Sequence, residues 1–370
     1  MPRLGILGIA VIVSAVVAAG CGAPGVPRDR ITFAVLSGSY YSASPDAAVE
    51  GAMVEDSEAL LAKTVADLNR AKDLDFVIFA GDLLARADGL SLDRAKAILA
   101  DLRVPYYAIL GGSDGPAGLP KEPAARPAGG AATPANAAPA NAMPANAAPA
   151  SAPAATPGGI NRDAIVWALQ GHGFSGPEGY WSQEVLPGLL LVGLDTVRTG
   201  RREGHVSARQ LEWLGRTLAA KGDKSVILVA YHELVPLHPL DEGATWRHKL
   251  VDNAAEVRQV LEKHPNVLAV LAGNCHFAEG RVSGRTLYLS SPSLAIWPLA
   301  YQLVQLTPKQ AEVVWVPVAP DDLARRAQDR LLKSPEYRGV FPSGEDGDTT
   351  CMRLFGGKKL ETYPLPGMRP

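Results

Sequence analysis

From residue 31 onward, short apolar runs alternate with longer stretches in which apolar positions recur every three or four residues. The runs ITFAVL (31–36), FVIFA (76–80), PYYAIL (105–110), SVILVAY (225–231) and NVLAVLAG (266–273) are almost unbroken in hydrophobicity. Runs of this length fit strands buried on both faces of a largely parallel sheet. Between them the period changes to that of a helix. A helix is predicted over 57–71, and another over 91–102 with Ser91 as N-cap and Leu92, Ala95, Ile98, Leu99 and Leu102 on one face. A third spans 161–170. Ser207 to Gln210 forms a capping box that opens a helix carrying Leu211, Leu214 and Leu218, and Asn253 to Glu256 opens a second, closed by Pro265.

This alternation of strands and helices predicts an α/β fold. YWSQEV (180–185) and GLLLVGLDT (188–196) fit an antiparallel pair turned at Pro187-Gly188. TLYLSS (286–291), YQLVQL (301–306) and AEVVWVPV (311–318) follow with no helix between them. They are expected to extend a second, mostly antiparallel sheet. A last helix is expected over 322–332, followed by a Gly- and Pro-rich tail that reads as loose.

Composition changes the picture in two places. From 116 to 159 the chain is almost all Ala, Pro, Asn and Gly, with PANA at 134, 139 and 144. Recurrent proline blocks ladder and helix hydrogen bonds and alanine buries little, so this insertion cannot build a core. At the start, Arg3 and an apolar run over 4–18 lead into Ala18-Ala19-Gly20-Cys21. That run is too short and lightly flanked for a spanning helix. It resembles the bacterial lipoprotein signal, although Ala18 stands where that signal more often has leucine. The resemblance implies a signal peptide over 1–20, lipidation of Cys21, a lipid-anchored linker over 21–30 and the lipid bilayer as partner. Gly22 is not the aspartate that resembles an inner-membrane retention signal, which implies the outer membrane, facing the periplasm.

With 36 basic and 38 acidic residues, the formal net charge of -2 gives no global field toward nucleic acid, so a small partner is expected. Apart from Cys21 there are only Cys275 and Cys351, which define no disulfide framework. No protein partner is indicated.

The candidate chemistry sits where strands stop. The runs end in Ser37-Gly38-Ser39, Gly81-Asp82, Gly111-Gly112-Ser113-Asp114, Tyr231-His232 and Gly273-Asn274-Cys275-His276. Parallel strands place such ends on one edge, where open α/β sheets bind ligands. The order and spacing resemble the calcineurin-like metallophosphoesterases, in particular the cyclic nucleotide phosphodiesterase branch, whose motifs run Asp-x-His, Gly-Asp, Gly-Asn-His-Asp, a lone His and Gly-His-x-His. GLDT (193–196) and the helix ARQLEWLGRTL (208–218) match further landmarks. The resemblance covers 31–318 without the insertion and implies a two-sheet β-sandwich flanked by helices (αββα), leaving 319–370 as a C-terminal extension.

In that family these motifs hold two metal ions that neutralise a phosphate and activate a bridging water. Here Ser37 and Ser39 stand for the first Asp and His, Gly112 and Ser113 for Asn and His, and Asn274 for the first His of the last motif. Asp82, His232 and His276 remain. The resemblance therefore implies one divalent ion (Zn, Mn or Fe) or none, with Asn274 or water completing the shell. Ser113 and Asp114 occupy the family's His-Asp positions, and Ser113 has no pKa suited to general acid work. Two readings follow. One is a pseudoenzyme whose Ser37, Gly38, Ser39, Gly112 and Ser113 form a backbone anion nest for a small phosphorylated ligand. The other is a metal-dependent phosphoesterase with a mononuclear site.

Overall fold

The computed structural model describes residues 30–44, 46–115, 159–238, 246–307, 309–338 and 360–365. The signal segment, Cys21, Cys351, most of the insertion and most of the tail lie outside them. In chain order the strands are β1 (Ile31–Leu36), β2 (Phe76–Ala80), β3 (Tyr106–Ile109), β4 (Trp181–Leu186), β5 (Leu189–Gly193) and β6 (Ser225–Ala230). They continue with β7 (Val267–Ala272), β8 (Gly280–Ser283), β9 (Thr286–Ser290), β10 (Ala300–Leu306), β11 (Gln310–Pro317) and β12 (Leu360–Pro364). The helices are α1 (Ser57–Leu68), α2 (Gly89–Leu99), α3 (Arg162–Ala168), α4 (Ala208–Ala220), α5 (Ala254–Glu262), α6 (Asp321–Lys333) and α7 (Pro335–Arg338).

Two six-stranded sheets result, ordered β12-β11-β10-β1-β2-β3 and β4-β5-β6-β7-β9-β8. The centre of each is parallel: β1 with β2 and β3 in the first, β5 through β7 to β9 in the second. Strands β2, β6 and β7 are buried on both faces except at Ser225, as their unbroken apolar runs require. The sheets pack on a shared core in which Phe33 stacks on Phe76 at 5.3 Å between ring centroids. Polar ties cross it: Trp181 Nε1 donates to the Ala108 carbonyl at 2.9 Å, and Gln302 Nε2 to that of Ser290 at 2.8 Å. A second core lies under α4 and α5, whose Leu214, Leu218, Val257 and Leu261 cover Val192, Val226, Leu228 and Val270. Each buried leucine contributes about 1.5–3 kcal/mol. That burial clamps the ends of β5, β6 and β7 into register, which positions the loops described below.

Local chemistry departs from expectation at several points. Ser207 caps α4 as predicted, but α2 is capped by Asp88, whose carboxylate accepts from Ser91 N at 2.8 Å and Ser91 Oγ at 2.7 Å. Ser91 therefore lies in the first turn. Asn253 does not box α5; its Oδ1 instead accepts from Val206 N at 3.0 Å, tying the start of α5 to the loop before α4.

The three consecutive runs from 286 do not form one antiparallel sheet. β9 stays in the second sheet beside β7, and the chain then crosses so that β10 and β11 extend the first sheet from β1. The crossing is fixed by Leu294 N to Ser37 O and Ala295 N to Gly38 O, each 3.0 Å. It covers the edge of β1 that would otherwise stay unpaired. The tail also returns: residues 360–364 form β12 on the edge of β11.

Candidate functional site

The five strand ends do not lie along one sheet: β1, β2 and β3 end in the first and β6 and β7 in the second, and the two sets meet where Tyr231, after β6, bonds Asp82, after β2. The chain leaves β2 through two left-handed residues, Gly81 (φ +98) and Asp82 (φ +54). The close approach of the β3 loop depends on Gly111, where a Cβ would lie 2.2 Å from Asp82 N and 2.4 Å from its Oδ1. So placed, the Asp82 side chain is buried and meets four protein donors. Tyr231 and Tyr40 hydroxyls donate to Oδ2 at 2.6 and 2.8 Å. Ser113 donates to Oδ1 twice, from its backbone N–H at 2.8 Å and from Oγ at 3.0 Å.

Burial, and then the Asp82 charge, hold both phenols well above the usual tyrosine range. They are therefore committed donors. Asp114 lies beneath and accepts backbone N–H groups from Gly111 at 2.8 Å, Leu84 at 2.9 Å and Leu83 at 3.3 Å. Burial, followed by the Asp82 charge, pushes its carboxyl up to about 6. It ties the β2 and β3 loops together rather than facing a substrate.

His232, after β6, is also engaged at its backbone N–H and at both ring nitrogens. Its N–H donates to Thr196 Oγ1 at 3.2 Å, and the same oxygen lies 2.8 Å from Nδ1. The Arg202 carbonyl beside Nε2 can only accept, so in a neutral ring Nδ1 is the acceptor and the Thr196 hydroxyl donates to it. The ring hydrogen then sits on Nε2, which donates to the Arg202 carbonyl at 2.9 Å. Gly204 lies flat on the imidazole; a Cβ there would be 2.5 Å from the ring. Burial pulls the His232 pKa down to about 3, so the ring is neutral.

His276 is buried in the left-handed region (φ +61), edge-on to Tyr40 at 5.9 Å. Asn274 is buried beside it in sequence. Cys275 packs in the core, with its backbone N–H donating to buried Glu233 at 3.2 Å.

Several donors of the expected anion nest are engaged within the protein. Ser37 Oγ donates to the Pro292 carbonyl at 2.9 Å and Ser39 Oγ to that of Leu83 at 2.6 Å. Gly38 N and Tyr40 N donate to Gly81 O and Asp82 O, each 3.1 Å. Ser113 N is taken by Asp82. These donors close the protein on itself.

The residues present also do not fit the family's metals. Both Asp82 oxygens and both His232 ring nitrogens are satisfied by protein, and among the described residues no three His, Cys, Asp or Glu side chains group as an ion's donor set. Asp82, His232 and His276 thus reach this junction without forming one site. Sequence reasoning missed Tyr40, Tyr231, Thr196 and the Arg202 carbonyl. The available signal was a tyrosine abutting a motif position twice, at Ser39-Tyr40 and Tyr231-His232, since a buried phenol needs a partner.

No protein-family model matches the chain. The 3',5'-cyclic adenosine monophosphate phosphodiesterase CpdA of Escherichia coli K12 is 36% identical over 115 residues, 30% of this chain and 38% of that protein. A probable cyclic nucleotide phosphodiesterase of Ruthia magnifica is 26% identical over 117 residues, 31% of this chain and 48% of that protein. The chain thus spans less than half the length of either relative. Among solved structures, a dimetal phosphatase from Danio rerio superposes with a TM-score of 0.54 at 14% identity, covering 78% of this chain and 96% of that one.

Proposed function

The chain has the calcineurin-like metallophosphoesterase fold, and from that premise we propose that it is a pseudoenzyme, using the fold to bind rather than to hydrolyse. The observation that carries this reading is the Asp82 carboxylate, filled by Tyr40, Tyr231 and Ser113. Two-metal hydrolysis needs a bridging carboxylate with lone pairs facing the cations, and a zinc-type site needs three protein ligands. Here the lone pairs face phenols and a serine. The test is hydrolysis of cyclic AMP and of bis(p-nitrophenyl) phosphate with Mn(II), beside metal content by mass spectrometry. The expected result is no turnover above buffer. Robust turnover that disappears in Asp82→Ala would overturn the reading and establish a reduced-site phosphoesterase.

The same proposal includes export. The apolar run ending at Cys21 supports a lipid-anchored protein of the outer membrane, facing the periplasm. Labelled palmitate should enter the wild type and not Cys21→Ala; a wild type that takes up no label overturns the anchor.

A further inference from the structure

Where the two sets of strand ends meet, a third part of the chain packs against them. Trp246, after β6, stacks on Phe277, after β7, at 5.0 Å between ring centroids. Tyr337 of α7 lies edge-on to Trp246 at 5.4 Å. Phe277, Trp246 and Tyr337 are 0, 1 and 2% exposed, so three distant segments close one aromatic cluster. The cluster adjoins Asp82 through His276, which precedes Phe277 and lies edge-on to the Tyr40 ring. Burial and the Asp82 charge lead in raising the Tyr40 phenol, and Tyr337 adds to them, which puts its hydroxyl within electrostatic reach of the site.

The helix that carries Tyr337 is one turn long and hangs from α6 by Ser334, whose backbone is extended (φ -67, ψ 133), and Pro335. The two helices are held differently. α6 buries Leu323, Ala327 and Leu331 in the core. At its end Arg330 donates to the Ala52 carbonyl at 2.8 Å and forks onto Glu55, and Ser334 Oγ donates to Glu50 at 2.5 Å. Tyr337 anchors α7: its ring lies against Trp246 and against Gly51, where an added Cβ would come within 3.6 Å of it. Closing the cluster leaves Trp246 Nε1 buried with no acceptor among the described residues, a cost that opening to water relieves.

We propose that α7 is an autoinhibitory plug: Tyr337 seats on the Trp246–Phe277 pair and closes the approach to Asp82 and His276, and α7 swings about Ser334-Pro335, with α6 in place, to open it. A single turn held by an aromatic anchor opens at lower free energy than the strands it covers, which is what a gate requires. The inference goes beyond the pseudoenzyme reading and stands whether the uncovered site binds or hydrolyses.

Native-state hydrogen exchange of the full-length chain, read by mass spectrometry, tests the plug. In the wild type the amides of 336–338, 246–250 and 274–279 should open together, about tenfold or more faster than those of β2 and β7, while α6 keeps the rate of the strands. Tyr337→Ala should speed 246–250 and 274–279 by about a further tenfold and leave β2, β7 and α6 protected. Acrylamide quenching of Trp246, taken as wild type minus Trp246→Phe, should rise in the same variant. Exchange of 336–338 only at the rate of β2 and β7 would make α7 part of the core and overturn the plug. So would fast exchange of 336–338 that leaves 246–250 and 274–279 at strand rates in both proteins, since α7 would then be a loose end covering nothing. Neither result bears on the hydrolysis assay, so the pseudoenzyme reading is judged separately.

Discussion

The Tyr231 hydroxyl donates to Asp82 Oδ2 at 2.6 Å, joining residues 149 positions apart. Tyr40 meets the same oxygen at 2.8 Å. A hydrogen bond to a buried charge is worth about 1.5–3 kcal/mol, and removing one donor leaves the charge under-solvated. Tyr231→Phe and Tyr40→Phe should each lower unfolding free energy in urea by about that amount. The double variant should lose more than the sum, because the second removal leaves Oδ2 with no phenol donor. A loss under about 0.5 kcal/mol for either single variant would show that the phenols are bystanders.

Two buried groups at this junction titrate in opposite senses. The folded pKa of His232 is about 3 against an ordinary 6.5, so the unfolded chain takes the proton first and stability is lost as pH falls from 6.5 toward 3. The folded pKa of Asp114 is about 6 against 3.8, so its contribution is full below 3.8 and is lost as pH rises through 6. Wild-type stability minus that of His232→Gln should rise by about 2 kcal/mol between roughly pH 4.5 and 6.5. Wild type minus Asp114→Asn should fall over the same window. Urea unfolding at constant ionic strength measures both; parallel curves would mean that neither group is desolvated as described.

The architecture was legible because strands buried on both faces write themselves as unbroken apolar runs, and their polar stops marked where the ends of the two sheets meet. What failed was pairing. The sequence cannot show that β10 leaves its neighbour β9 for the open edge of β1, because that choice is made by backbone bonds from Leu294 and Ala295 to Ser37 and Gly38. The site was legible as positions rather than as states. Tyr40 and Tyr231 count as apolar in any pattern, and their hydroxyls acquire meaning only once Asp82 lies between them. His232 read as a ligand until a loop folded over it, bringing Thr196 and the Arg202 carbonyl onto its two nitrogens.

Glycines separate the packed edge from open surface. At Gly111 an added Cβ would sit 2.2 Å from Asp82 N, so Gly111→Ala must push two loops apart and should cost more than about 3 kcal/mol. At Gly215, within α4, nothing lies within 4 Å of such a Cβ. Gly215→Ala should therefore stabilise by about 0.5–1 kcal/mol through helix propensity. Equal effects at the two positions in thermal unfolding would contradict the tight approach of the β3 loop to Asp82.

Restoring the family's side chains alone should not restore its metal centre. Ser37→Asp, Ser39→His, Gly112→Asn, Ser113→His and Asn274→His supply the missing donors in sequence. In the structure, however, Asp82 Oδ2 stays between the Tyr40 and Tyr231 hydroxyls, and a cation cannot share that oxygen with two buried phenols held protonated. The five-fold variant should therefore hold less than one Mn(II) per chain after dialysis. Adding Tyr40→Phe and Tyr231→Phe removes both competing donors, and a cation can then neutralise the carboxylate they leave bare. This variant should bind Mn(II) and gain melting temperature with it, while turnover returns later because both ions must be in place to align water and phosphate. Metal content by mass spectrometry and melting with and without Mn(II) decide the matter. Two ions held by the five-fold variant would show that the phenols yield to metal and are no barrier.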